Sequence, residues 1–493
     1  MLTAAILVPL AGAVALLVPR WSERTARFFA VAVAAVPLML LVAAWLRFDI
    51  GSEAPFQLVE EVTWIPTLGV AYRVGVDGIA LAVAATSALL FTAAVAYPVD
   101  TDGRPRGYYA WLLFLEGVSL GLFLSLDLLV FYVFFDLSLV GMYFLIARWG
   151  HEGARAAALK FFLYTLAGSL VMLLAILGLV LATDPITFSM PELIARQPLA
   201  GQGARAGLVL LGLLLGLGVK TPVVPLHTWL PPAHVDAPAP ASTILAGVLL
   251  KMGSFGMIRI PFSMMRATFS RYALVLAIVA VVSIVYGALV ALGQQHLKRR
   301  IAYTSVNHMG YTVLGIAAAG GLLSGSEQAR QLALTGATVE MVAHGLITGA
   351  LFLITGSFWQ RGGTFDLDAY GGLAGRARAL TGATMLAAFA SLGLPGLAGF
   401  VAEFQIFVGT FAVYPVLAGI GLLGVLITAA LFLQMLQRLF FGELPERWSA
   451  FPDLRPSEAA TLGVMLALVV AIGIYPRWLL DVVHAASGVL IGS

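Results

Sequence analysis

Apolar runs of about twenty residues follow one another along the whole chain, separated by short polar connections. A helix that is apolar on every face cannot be solvated by water, and a run of roughly 20 such residues spans the hydrocarbon core of a bilayer. The runs fall at 2–19, 26–46, 76–97, 108–122, 124–148, 156–182, 205–229, 238–260, 270–293, 299–320, 331–358, 378–413, 415–441 and 457–474. A short amphipathic helix is expected from about Trp478. The pattern predicts an all-α polytopic membrane protein of about fourteen transmembrane helices. The longest connection, 47–75, carries Asp49, Glu53, Glu60 and Glu61 and is expected to be a loop.

Two runs are interrupted. The seventh contains Lys220-Thr221-Pro222 and then Pro225; the twelfth contains Gly393-Leu394-Pro395-Gly396 and then Gly399. Proline removes a helix hydrogen bond and glycine loosens the backbone, so inside lipid such breaks survive only where protein or a wet cavity satisfies the freed groups. Counting spans, helices 4–8 (108–260) make one five-helix unit and helices 9–13 (270–441) another, with the fourth helix of each unit broken. Helices 1–3 (1–107) precede them, and helix 14 with the C-terminal tail (442–493) follows. Paired interruptions in two halves are the mark of an inverted-repeat transporter.

Composition narrows the chemistry. Hydrophobic residues make up 60% of the chain and charged residues 11%, too few to cover a soluble surface. Cysteine is absent, which excludes disulfides, thiolate zinc sites and cysteine-ligated iron–sulfur clusters; redox groups that drive this chain must lie in another one. The first apolar run lacks a preceding basic segment and is followed by Arg20, Arg24 and Arg27, which predicts a retained first helix rather than a cleaved signal peptide. Basic residues recur in alternate connections: Arg104 and Arg106; Arg148, Arg155 and Lys160; Lys298, Arg299 and Arg300; Arg361, Arg376 and Arg378; Arg438, Arg447 and Arg455. The intervening connections hold fewer, Arg73, Arg196, Arg259 and Arg266 among them. The richer set is expected to be cytoplasmic, which puts both termini on the outer, periplasmic face of a bacterial inner membrane.

The functional signal lies in the charges inside the spans, because a charge at the bilayer centre costs at least about 2.5–3.5 kcal/mol on insertion scales. Lys220 stands at the break of the seventh run, and Lys251 lies thirteen residues after Pro238, about 20 Å along a helix. Asp136 is in the fifth run, Glu116 in the fourth, and Glu403 follows the break of the twelfth. His308 and His344 lie in the tenth and eleventh, and His227 and His234 flank the turn between the seventh and eighth. One reading is a row of titratable groups bridged by water, in which moving a carboxylate switches the proton affinity of a lysine. The other is a set of static buried ion pairs that fix helix packing. His308 and His344 either join the row or bond a backbone carbonyl of the next helix. His227 and His234 read as turn or access residues; no metal or cofactor site is expected. Gly216-Leu217-Gly218-Val219-Lys220-Thr221 is not a phosphate loop, because valine separates glycine from lysine in a membrane helix.

The segment 214–260, LLGLGVKTPVVPLHTWLPPAHVDAPAPASTILAGVLLKMGSFGMIRI, resembles the antiporter-like subunits of respiratory complex I. The resemblance continues in FYVFFDLSLVGMYFLIARWG (131–150), KFFLYTLAGSL (160–170), RRIAYTSVNHMGY (299–311), MVAHGLITGALFL (341–353) and GLPGLAGFVAEF (393–404), and so covers most of the chain. It implies fourteen transmembrane helices with two inverted five-helix units. Lys220 looks like the family's broken-helix lysine, Lys251 like its connecting lysine, and His308 and His344 like its central-axis histidines. Asp136 stands where the family has a glutamate, one methylene longer. Glu403 stands where the M-type branch has glutamate and the L- and N-type subunits and Mrp antiporters usually have lysine. Pro232 and Asp236 depart from the family's acidic residue and glutamate.

The resemblance implies proton translocation in the membrane arm of NADH:quinone oxidoreductase, through Asp136, Lys220, Lys251, Glu403, His308 and His344, with Glu116, His227, His234 and Asp236 in access or coupling. FMN, iron–sulfur clusters and quinone would then belong to partner subunits, and L-like and N-like chains, lipid, protons and water would be the partners, with no nucleic acid. The alternatives are a subunit of a Mrp-type cation/proton antiporter or membrane-bound hydrogenase, and a non-pumping scaffold. The sequence leaves H⁺ and Na⁺ undistinguished.

Overall fold

The computed structural model describes residues 1–18, 21–52, 54–321 and 326–492. Arg20 and Glu53, and Pro19 at the end of the first predicted run, lie outside the described residues.

Helix occupies every predicted span. The first two are α1 (Leu2–Leu16) and α2 (Glu23–Arg47), followed by a hairpin of β1 (Gln57–Ile65) and β2 (Val70–Val76). Then come α3 (Gly78–Ala96), α4 (Pro105–Leu124), α5 (Leu128–Trp149), α6 (Ala154–Val180), the short α7 (Met190–Arg196), α8 (Gly203–Lys220), the short α9 (Leu230–Asp236) and α10 (Ala239–Phe262). The second half is α11 (Arg266–Leu292), α12 (Leu297–Gly320), α13 (Glu327–Gly362), the pair α14 (Arg378–Ser391) and α15 (Ala398–Val413), α16 (Pro415–Phe440), α17 (Pro456–Ile474) and the terminal α18 (Arg477–Gly492). Among the described residues, 11 helices are long and apolar enough to cross a membrane. The remaining predicted spans are α1, shorter at 15 residues, the polar-headed α12, and the broken pair α14–α15.

Polar residues end these helices where the chain must turn. Asp127 caps α5, accepting from the Leu129 and Val130 amides at 2.9 and 3.2 Å. Asp77 caps α3 through the Ala80 amide at 2.8 Å and also takes Arg259 bidentately at 2.7 and 2.9 Å, tying the start of α3 to the end of α10. At the other face Glu458 on α17 grips Arg361 of α13 at 2.5 Å. Arg259 and Arg361, counted among the connection charges, therefore act as buried struts. Lys298 and Arg300 likewise turn inward, and Arg300 donates to the carbonyls of Gln294 and Leu431.

The connection 47–75 is corrected most. Its second half forms the antiparallel hairpin, with Glu61 opposite Arg73 and Val62 opposite Tyr72. Glu60 reaches back to the Met1 ammonium and to the Leu2 and Thr3 amides, so the hairpin clamps the start of α1. Burial pushes the Glu60 carboxyl up, but the Met1 ammonium and the amides overcome it and bring it down to about 2.

The core lies along α10 and α13, whose apolar windows are 100% buried, against 28% for α2 and 33% for α16. α10 is not uniformly α-helical: it widens into π-helical turns at Leu245–Leu249 and Ile258–Phe262.

Candidate functional site

The first helix break stops at Lys220, nine residues before the predicted end of its span, because Pro222 and Pro225 cannot continue an α-helix. The freed backbone finds partners inside the protein. The Trp229 indole donates to the Val219 carbonyl and the Val224 amide donates to Ser283 Oγ on α11, both at 2.9 Å. Lys220 itself is 1% exposed. Its Nζ donates to Ser138 Oγ at 2.8 Å and lies 4.9 Å from the centre of the Phe135 ring. Asp136 sits on the same helix but not in contact: among the described residues Lys220 forms no ion pair within 4.0 Å, and Asp136 acts on it through space. The Asp136 carboxylate, with Oδ1 buried and unpartnered, stands beside the Tyr132 hydroxyl. The shortened side chain thus leaves the direct contact to serine.

The second break separates α14 from α15 at Leu392–Leu397. Gly393 and Gly396 adopt φ of +79° and +90°, a conformation that glycine reaches without strain. A Cβ on Gly393 would also come within 2.5 Å of Glu403 Oε2. Around this break the structure assembles the other predicted groups. Lys251 Nζ donates to the Ala246 carbonyl at 2.7 Å and meets His344 Nδ1 at 2.5 Å. The His344 and His308 rings are 5.4 Å apart, and His308 Nε2 meets Ser391 Oγ at 3.1 Å. On its other side His308 Nδ1 faces two carboxylates, Glu340 at 3.2 Å and Glu403 at 3.8 Å. Lysine, histidine, histidine and paired acids thus form one buried row contributed by α10, α13, α12 and α15.

The remaining predicted residues do not join this row. His227, in the first break, packs between the Tyr286 and Tyr303 rings. His234 on α9 is fully buried, stacks on Phe352 at 4.4 Å, and has no partner for either ring nitrogen among the described residues. It lies within electrostatic reach of both Lys251 and Lys298. Asp236 accepts from the Gly153 amide at 3.1 Å and so secures the turn between α5 and α6. Glu116 is buried on α4, and neither of its carboxylate oxygens has a partner among the described residues.

On the face carrying the basic connections opens a cavity of about 260 Å³ lined by Asp100, Asp102, His151, Lys298 and Trp359, with Pro238 and Ala239 at the start of α10. Burial, with the Lys298 charge beside them, lowers His151 and His296 in the adjoining loops to about 4.

Glu340, Ser138, Ser391 and Lys298 were not singled out by the sequence. Glu340 carried a usable signal, since it is an acid inside the apolar run 331–358. Lys298 was hidden by its place among arginines at a helix start, and the two serines carried no signal at all.

A family profile described as NADH:quinone oxidoreductase/Mrp antiporter, TM, matches residues 125–431. The chain is 39% identical over 490 residues to NAD(P)H-quinone oxidoreductase chain 4 1 of Synechococcus sp. (strain JA-3-3Ab), covering 97% of this chain and 90% of the relative. A Nostoc relative with the same description is 37% identical, covering 97% and 88%. Among solved structures the fold is similar to a chain of respiratory complex I from Thermus thermophilus with bound NADH, with a TM-score of 0.88, 30% identity, and 99% and 100% of the two chains covered. It is also similar to a chain of the Mrp complex from Dietzia sp. DQ12-45-1b, with a TM-score of 0.87 at 23% identity, covering all of this chain and 52% of that one.

Proposed function

This chain belongs to the NADH:quinone oxidoreductase/Mrp antiporter family of membrane subunits, and from that premise we propose that it is the M-type, proton-translocating subunit of an NADH:quinone oxidoreductase. The observation that carries this reading is the row Lys251–His344–His308–Glu340/Glu403, in which Lys251 meets His344 directly, the two imidazole rings lie 5.4 Å apart and His308 faces both acids; it ends at one broken helix while Lys220 ends the other. Each neighbour can hand a proton to the next over a hydrogen bond or a single water. Protons reach the row from the cavity beside Lys298 by way of His234, and Lys220 stores or releases charge according to the state of Asp136. Glu403, an acid where exchangers of the family carry lysine, favours a redox-driven pump over a Mrp-type exchanger or a hydrogenase subunit. Electrons flow in partner chains, with FMN, iron–sulfur clusters and quinone held there. L-like and N-like chains flank this one in a bacterial inner membrane, with both termini periplasmic.

The test is to isolate the assembled complex from native membranes and identify its chains by mass spectrometry, then reconstitute it and follow NADH oxidation together with proton uptake. Flavin and iron–sulfur dehydrogenase chains should accompany it. An assembled Lys251→Ala complex should oxidise NADH with little proton translocation; full pumping by that variant would end this reading. Small antiporter chains or a hydrogenase in place of the dehydrogenase would assign the row to a different driving reaction.

A further inference from the structure

Glu116 lies on α4, away from the row, and is wholly buried. Neither of its carboxylate oxygens has a hydrogen-bond partner among the described residues. It is not an isolated oddity. Tyr108 Oη and Ser119 Oγ, on the same helix, are also buried without partners, and so is Ser87 Oγ on the adjoining α3. At 3.6 residues per turn, positions 108, 116 and 119 fall within a sector of about 80° on one side of α4. The polar atoms therefore form a stripe. It begins one turn inside the face with the basic connections, where the Tyr108 ring packs against Trp149, and runs to mid-membrane.

Depth can be read from the helices. α4 starts at Pro105 and α10 at Ala239, both on that same face. At 1.5 Å per residue Glu116 lies about 16 Å along α4 and Lys251 about 18 Å along α10. The Phe123 and Phe255 rings, farther along the two helices, meet edge to face at 5.4 Å, which holds the pair in common register. Glu116 thus reaches the level of Lys251 by its own route.

An ionised carboxylate has no support in such a place, because among the described residues no hydrogen-bond donor or ion-pair partner meets it. A neutral carboxyl group offers one donor and one acceptor, and with the hydroxyls it gives a water molecule several partners along the stripe. Packing alone would be served better by leucine or glutamine. We propose that Glu116 is a second proton-holding site of this chain, a protonated carboxyl group reached from the basic-connection face along Tyr108 and extended inward by Ser119. This site exists or fails independently of the central row; only its use in translocation rests on the function proposed above.

The experiment is infrared difference spectroscopy of the assembled complex, comparing wild type with Glu116→Gln and Glu116→Asp in H₂O and in D₂O. The wild-type protein should show a carboxylic-acid C=O band that shifts on deuteration, is lost in Glu116→Gln and returns, displaced, in Glu116→Asp. A spectrum that Glu116→Gln leaves unchanged overturns the proposal. So does a band that fails to shift in D₂O, because the stripe would then be dry. Lys251→Ala serves as the control: if it abolishes pumping while keeping the Glu116 band, the two sites are separate. Its failure to affect pumping would sink the central row and leave the Glu116 result standing.

Discussion

The two broken helices carry opposite charges. α8 stops on a cation, Lys220, which is the last residue of its half-helix and is held by one serine hydroxyl and an aromatic ring. α15 restarts after its break with an acid, Glu403, in its second turn, and there the acid shares a histidine with another acid. Carbonyls converge at the C-terminus of α8 and favour a positive group at Lys220, whereas Glu403, in the second turn of α15, lies past the reach of its helix N-terminus and takes its setting from His308 and Glu340. The two sites also differ in company. Among the described residues Lys220 has a single direct polar partner, Ser138, and Asp136 as its nearby acid. Glu403 is embedded among titratable neighbours, where a proton can move without much change in total charge.

That contrast predicts a graded set of losses. Lys220→Ala removes the buried cation at the first break, and proton uptake by reconstituted complex should fall by about a hundredfold or more, with assembly intact on native gels. Asp136→Ala should approach the same loss, and Asp136→Glu should not, since the longer side chain reaches toward Lys220. If Asp136→Ala pumps normally, the first site does not depend on its acid. At the second break redundancy should soften the effect: Glu403→Gln or Glu340→Gln alone should cost about tenfold, and the double substitution should cost far more than the product of the two. Strictly multiplicative losses would mean that the two acids do not share one proton. Ser138→Ala deletes a hydrogen bond to a charged donor, about 1.5 kcal/mol, and should slow uptake by roughly tenfold or less.

The smallest effect concerns pH and neither break. His151 and His296 are lowered to about 4, so the folded protein holds them neutral. Protonation then favours the unfolded state. Their contribution is complete above the ordinary histidine range near 6.5 and is lost as pH falls toward 4. His151→Asn should flatten the acid side of a thermal-stability profile; an unchanged profile would assign that slope to other groups.

Much of this was legible in the chain. Pro222, Pro225, Gly393 and Gly396 located both breaks, because few residues can interrupt a membrane helix and these do so by fixed backbone rules. Lys220, Lys251 and Glu403 stood out because charges in apolar runs are costly. What the sequence withheld was pairing. Nothing in it indicates that Lys220 meets Ser138 in preference to Asp136, or that His308 faces Glu340 more closely than Glu403, since those distances depend on how separate helices rotate against one another. Loop-charge counting could not show that Lys298, Arg300, Arg259 and Arg361 turn inward, because it records where a residue sits along the chain and not which way its side chain points. The hairpin at 57–76 escaped because its strands lie in a charged connection whose apolar stretches are too short to stand out beside the membrane spans.

The wide turn at Leu245–Leu249 has a consequence that no side-chain inventory reveals. A π turn holds one residue more than an α turn, so the part of α10 that follows is out of phase with the part before it. Lys251 is the second residue after that turn, and the carbonyl it takes, that of Ala246, belongs to the turn itself. Deleting one residue there would leave every acid, lysine and histidine in the chain, yet swing Lys251 by about 100° away from His344. The lysine's position is written as an angle as well as an amino acid, and in that sense the extra residue is an insertion the chain cannot lose without disconnecting its own circuit.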